Sequence, residues 1–219
     1  MWSSEVTNMI ITGIWETLYM TLVSTLVGYV IGLPMGIILT VSDKDGIKPN
    51  AVLYKILDVI ANIVRSVPFI ILLVLLIPFT RLVVGKSYGS TATIVPLVIA
   101  AAPYIARMVE SSLKEVDAGV IEAARSMGAS NFTIITKVML VEARTSLLVG
   151  ATITLGTILG YSEMSGEVGG GGLGAIAIRY GYTRWQTDIM IVTVVLLVVL
   201  FQIFQTIGMM LANKFDHRK

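Results

Sequence analysis

Asp117-Ala118-Gly119-Val120-Ile121-Glu122-Ala123-Ala124-Arg125-Ser126-Met127-Gly128-Ala129-Ser130, continued by Lys137-Val138-Met139-Leu140-Val141-Glu142-Ala143, is polar and helix-prone, and it stands between two strongly apolar blocks. On a helical wheel Val120, Ile121, Ala124 and Met127 share one side, while Glu122 and Arg125 form an i,i+3 pair on the opposite flank. Such a helix has one face to bury. Asp117 suits an N-cap and Gly128 a C-terminal stop, which predicts a helix of about ten residues with defined ends. Ser130 can cap a second helix whose Ile134, Ile135, Val138 and Met139 are apolar. The expected product is helix, tight glycine turn, helix.

Everything around this segment is built for lipid. Of 219 residues 55% are hydrophobic and only 14% charged, and the mean hydropathy is +0.85. A soluble domain carries nearer a quarter charged residues. A hydrocarbon core needs roughly 20 apolar residues of helix, and five blocks meet that need: 13–41, 67–84, 91–108, 145–162 and 189–212. Alternation of the β-barrel kind is absent, so these are helices. All but four of the sixteen Lys and Arg residues fall on one side of the spans; Arg81, Lys86, Arg179 and Arg184 fall on the other. An excess of basic residues marks the cytoplasm, which predicts the N-terminus outside, the C-terminus inside, and 117–142 cytoplasmic. The expected organisation is an extracytoplasmic N-terminus (1–12), a membrane domain (13–212) and a cytoplasmic tail (213–219).

Within the spans, Gly28, Gly32 and Gly36 recur every four residues, as do Gly156 and Gly160, and small residues so spaced let a second helix approach closely. A fourth span of 146–162 is about 25 Å long, so its outer end is expected to be recessed, and the Gly-rich run 161–174 after it is expected to be flexible, as in a mouth or gate. Glu16 is expected to be an interfacial anchor, and Glu163 and Glu167 an acidic rim on that mouth. Gly169, Gly171 and Gly174 match G-x-G-x-x-G, but no strand precedes them, and a phosphate-binding G-x-x-x-x-G-K-[ST] is absent. ATP-driven work would therefore come from a partner. Cysteine is absent, and the single histidine, His217, lies in a charged tail, so neither a metal site nor a catalytic constellation is expected. No ionisable residue falls in the middle of a predicted span, which argues against the alternative of an ion-coupled secondary transporter or channel.

Glu122-Ala123-Ala124, with Gly128 four positions later and Lys137, Leu140, Glu142 and Ala143 beyond, resembles the EAA loop of ABC-importer permeases. The resemblance extends along most of the chain and is greatest to the methionine-uptake branch. It covers Gly13-Ile14-Trp15-Glu16-Thr17-Leu18, Arg65-Ser66-Val67-Pro68-Phe69, Ala102-Pro103-Tyr104-Ile105-Ala106-Arg107 and Gly160-Tyr161-Ser162-Glu163-Met164. It implies an all-α, five-span permease of the type I ABC importer fold in a bacterial cell membrane. It implies import of an amino acid, methionine, by alternating access, with Glu122, Ala123, Ala124, Arg125, Met127, Gly128 and Ala129 docking on an ATPase. Met164, with Tyr161 and Ser162, would lie at the gate. The implied partners are a second copy of the chain, two ABC ATPase subunits that bind ATP and Mg, an extracytoplasmic substrate-binding lipoprotein and the bilayer. Nucleic acid is not among them. Val141 stands where the family commonly has proline, and Glu163 and Glu167 where small uncharged residues are usual.

Overall fold

The computed structural model describes residues 4–215, so His217 lies outside the described residues. Every regular element in that range is a helix. Helix α1 (Ser4–Ser42) runs unbroken through the boundary expected at residue 13, and its 39 residues extend roughly 58 Å, about twice a hydrocarbon core. Helix α2 (Ala51–Ser66) is capped by Asn50, whose side-chain oxygen accepts from the Leu53 amide. The chain then turns through 102° at Val67 and Pro68. A residue before proline is driven out of the α region, and Val67 is extended.

The second span is not one helix. It is broken at Leu76 into α3 (Phe69–Leu75) and α4 (Ile77–Val84), because Pro78 in the first turn of α4 has no amide to continue the ladder. Gly85, at φ +80, ends α4. Helix α5 (Ser90–Lys114) carries Pro96 and Pro103 without interruption and outlasts the span expected to end at Met108.

The polar segment follows as α6 (Ala118–Ser126), then α7 (Asn131–Thr133), a π-turn (Ile134–Met139) and α8 (Leu140–Glu142). Helix α9 (Arg144–Met164) starts at once, and the bonds from Ala143 N to Met139 O and from Leu147 N to Ala143 O, at 2.9 and 2.8 Å, carry the ladder across the joint. A 3-10 turn (Ser165–Val168), α10 (Gly172–Ile176), a π-turn (Ala177–Tyr182) and α11 (Thr187–Lys214) complete the chain.

Helices α1 and α5 run in the same direction, packed along the three glycines. A methyl group built on Gly32 would stand 2.6 Å from the Ala102 carbonyl oxygen, and one on Gly36 2.6 Å from that of Ala106. Beside Gly28 the nearest atom is Ala101 Cβ at 2.9 Å. Without a hydrophobic force between helices in lipid, such close approach lets dispersion hold the pair. Helix α9 returns antiparallel to α5, with Ser146 donating to Ser112 near one end at 3.0 Å and Thr157 to Tyr104 farther along at 3.5 Å. Helix α11 lies on α9, where a methyl group built on Gly156 would stand 2.6 Å from the Phe201 ring. Gly160 behaves differently from its neighbour one turn earlier: among the described residues nothing lies within 4 Å of its Cβ position, so that face of α9 is open. Most of the outer surface of α11 is apolar and uncovered, as a lipid-facing helix requires.

Candidate functional site

At the end of the bundle that carries most of the basic residues, α6 is closed at both termini. The Asp117 carboxylate accepts from the Gly119 amide at 2.7 Å. At the other end Gly128, at φ +81, donates to Arg125 O at 3.0 Å and Ala129 to Ala124 O at 3.1 Å. These are the paired 5→2 and 6→1 bonds of a Schellman stop, which only glycine enters without strain. Ser130 then accepts from the Thr133 amide at 3.2 Å and starts the next helix.

The apolar side expected of α6 is divided. Ile121 and Ala124 pack inward on the core with Ala129, whereas Val120 stays uncovered and Met127 is 82% exposed. Ala123 is exposed as well. Glu122 and Arg125 do not pair; the Arg125 guanidinium instead donates to the Ile47 carbonyl at 3.1 Å and ties α6 to the turn after α1. Phe132, 75% exposed, is a residue that sequence reasoning passed over, and it adds to the surface. Phe132 had a signal, an aromatic ring two positions before Ile134 and so on the other side of a helix from it. Behind α6 lies a cleft of about 510 Å³ between the 43–47 turn and the end of α5, floored by Leu113, Ile121 and Met139.

This end is braced by a charged cluster. Arg107, about two turns before the end of α5, binds Glu110 at 2.7 Å and reaches Asp58 and Asn62 of α2. Lys114 binds Glu110 at 2.8 Å and Asp43 at 2.6 Å. The Lys114 ammonium, hydrogen-bonded to the Asp43 carboxyl, holds it below its ordinary value of 3.8. Glu110 is buried, and burial of a carboxylate is tolerable because two cations meet it. The cluster joins α1, α2 and α5 and escaped sequence reading because α5 was expected to end before it.

At the opposite end the structure corrects three expectations. The Gly-rich run is not slack: Ser165, Gly172, Leu173 and Gly174 are buried. Successive amides at the start of α10 are held by side chains of another helix, Gly172 N by Glu16 Oε2 at 2.8 Å and Leu173 N by Thr17 Oγ1 at 3.0 Å. Glu16 is therefore a loop anchor rather than a headgroup anchor. Glu163 does not rim the mouth; it points into the bundle and accepts from Thr17 at 3.0 Å and Ser162 at 3.3 Å. Glu167 is exposed.

The three residues expected at the gate are separated by their surroundings. Ser162 is wholly buried, donating to Leu159 O at 2.7 Å and facing Thr21. Tyr161 stacks on Phe69 with ring centroids 4.6 Å apart. Met164 is half exposed and stands in line with Gly160, Thr157 and Ile153 on the open side of α9. Among the described residues no three His, Cys, Asp or Glu side chains converge as metal ligands.

The sequence profile of the family described as "Binding-protein-dependent transport system inner membrane component" matches residues 32–218. The chain is 49% identical over 217 residues to the "Probable D-methionine transport system permease protein MetI" of Vibrio cholerae, covering 99% of this chain and 96% of that one. Against the "D-methionine transport system permease protein MetI" of Escherichia coli K12 identity is 52% over 158 residues, 72% of this chain and 73% of the relative. Among solved structures, an inward-facing MetNI methionine ABC transporter superposes with a TM-score of 0.96 at 49% identity, covering 99% of this chain and 100% of that chain. An amino acid ABC transporter solved with histidines shares the fold, with a TM-score of 0.79 at 22% identity over 96% of this chain and 95% of that one.

Proposed function

The chain belongs to the family of binding-protein-dependent transport system inner membrane components, and from that premise we propose that it is the permease of an ATP-driven importer whose cargo is methionine. The cargo rests on the function of relatives that match it nearly end to end. The observation that carries the coupling role is α6: a short helix, fixed at both ends, that buries Ile121 and Ala124 yet leaves Ala123, Met127 and the nearby Phe132 uncovered. An isolated helix so short is marginal in water, and exposed large apolar side chains clustered beside it mark a surface meant for a partner.

In this reading the basic end faces the cytoplasm and α6 of each of two copies docks on an ABC ATPase, with Glu122, Ala123, Ala124, Arg125, Met127, Gly128 and Ala129 as the docking segment. The ATPase pair binds ATP and Mg, and its closure draws the two α6 helices together. The bundles then rock as rigid bodies between inward-open and outward-open states, biased by the nucleotide. An extracytoplasmic binding lipoprotein delivers cargo at the far end. Met164, on the open side of α9, serves as a side chain of the pathway, where a flexible thioether repacks between states. The permease itself supplies no reacting group.

The test is uptake of labelled methionine into proteoliposomes holding the permease and its ATPase, with binding protein outside and ATP within. Uptake that requires ATP and is competed by methionine above other amino acids supports the reading. Equal competition by unrelated amino acids removes the cargo assignment, and uptake driven by an ion gradient without ATP removes the importer itself.

A further inference from the structure

At the end of the bundle remote from α6, α1, α10 and the π-turn after it line an open cavity of about 350 Å³. That is within the range of small-molecule sites, roughly 300–1,000 Å³. Its wall carries one acid, Glu16, and one base, Arg179, together with Met9, Ile176 and Tyr180. Glu16 spends Oε2 on the Gly172 amide at 2.8 Å. Neither Glu16 nor Arg179 forms an ion pair among the described residues, although both line the same space. The floor is glycine backbone: Gly171 has φ +95, and a Cβ there would stand 2.8 Å from Glu16 Oε2. A side chain at that position would fill the cradle and press on the carboxylate.

A cavity with an unpaired carboxylate and an unpaired guanidinium has no net charge but a strong local dipole. It matches a ligand that carries an ammonium at one end and an anion at the other, since each pole then gains a charge-assisted hydrogen bond. The guanidinium fork suits a carboxylate in particular, because two parallel N–H donors meet two oxygens. Met9 and Ile176 offer an apolar wall to whatever side chain lies between. We propose that this cavity binds a zwitterionic α-amino acid, with Glu16 holding the ammonium and Arg179 the carboxylate, as a station for cargo at the outer end of the permease. The proposal rests on the import reading above. An ethanolamine phospholipid headgroup presents the same two charges, and the experiment separates the two sources.

The complex of permease and ATPase, without binding protein, is placed in nanodiscs of phosphatidylcholine and phosphatidylglycerol, and equilibrium binding of methionine, N-acetylmethionine and methioninamide is measured. Saturable methionine binding is expected, weakened roughly tenfold to a hundredfold by Arg179→Ala and by Glu16→Gln, which keeps an acceptor for the Gly172 amide. The two blocked analogues, each lacking one charge, should not bind. Absence of saturable binding, binding left unchanged by both substitutions, or loss of methionine binding in parallel nanodiscs that also contain phosphatidylethanolamine overturns the proposal. ATP-dependent uptake with binding protein is recorded on the same preparations. Uptake that persists where binding fails sinks this site and leaves the import reading standing.

Discussion

Replacing Gly32 by alanine adds one methyl group in the α1–α5 seam. That methyl would lie 2.6 Å from the Ala102 carbonyl oxygen and 2.8 Å from both Cβ and Cγ2 of Ile105. Ordinary carbon–oxygen approach is about 3.3–3.6 Å, so the helices must part by close to an ångström or the methyl must sit in repulsion. The obstacles are backbone and a β-branched carbon, neither of which can rotate away. Overpacking of this kind costs about 1–3 kcal/mol, here about 2–3 because the obstacles cannot yield, and alanine returns about 1 kcal/mol of helix propensity. The net is about 1–2 kcal/mol of destabilisation, a fall of roughly 2–8 °C in melting temperature for a chain of this size. Differential scanning fluorimetry of the purified complex in one detergent reads this directly. Gly160→Ala is the control, because among the described residues nothing lies within 4 Å of the added methyl, and its permease should melt no lower than the parent. A Gly32→Ala complex that melts at or above the parent temperature refutes the reasoning.

Gly128→Val places a β-branched residue at φ +81; the backbone strain of roughly 1–2 kcal/mol should loosen the end of α6 and lower the yield of ATPase in co-purification. Met127→Ser together with Phe132→Ser removes two exposed apolar side chains, so the melting temperature of the permease should hold within about 1 °C while ATPase retention and ATP-dependent uptake fall. The Asp43 carboxyl is held below its ordinary 3.8 by Lys114, so its contribution to stability is complete above that value and disappears as the pH falls through the depressed folded-state value. The difference in melting temperature between the parent and Asp43→Asn should therefore be flat from pH 5 to 8 and close only in strong acid. A difference that closes near pH 6 would point to another group.

The membrane helices were legible because lipid imposes one requirement on them all: long apolar runs with their backbone bonds satisfied internally. Asp117, Gly128 and Ser130 were legible because capping is local chemistry between residues two to five apart. What stayed hidden depends on partners far along the chain. Glu16 and Gly172 are 156 residues apart, and nothing in either neighbourhood announces that a carboxylate will hold an amide. Arg107 and Asp58 are 49 residues apart and meet only because α2 packs against α5. Gly156 and Gly160 share a spacing but not a role, since α11 reaches the first and leaves the second bare. Periodicity says which residues share a face and is silent on what that face meets.

The Gly28–Gly36 seam leaves α1 and α5 too close to slide past one another, so the pair acts as a single stiff beam. Near one end of α1, Asp43 is fastened to Lys114; toward the other, Glu16 and Thr17 hold the amides of α10. With a length of roughly 58 Å, each degree through which α1 tilts about one end carries the other end about 1 Å sideways. A few degrees of tilt imposed beside α6 would therefore reach α10 as a displacement of a few ångströms, with no chain of rearranging side chains between them.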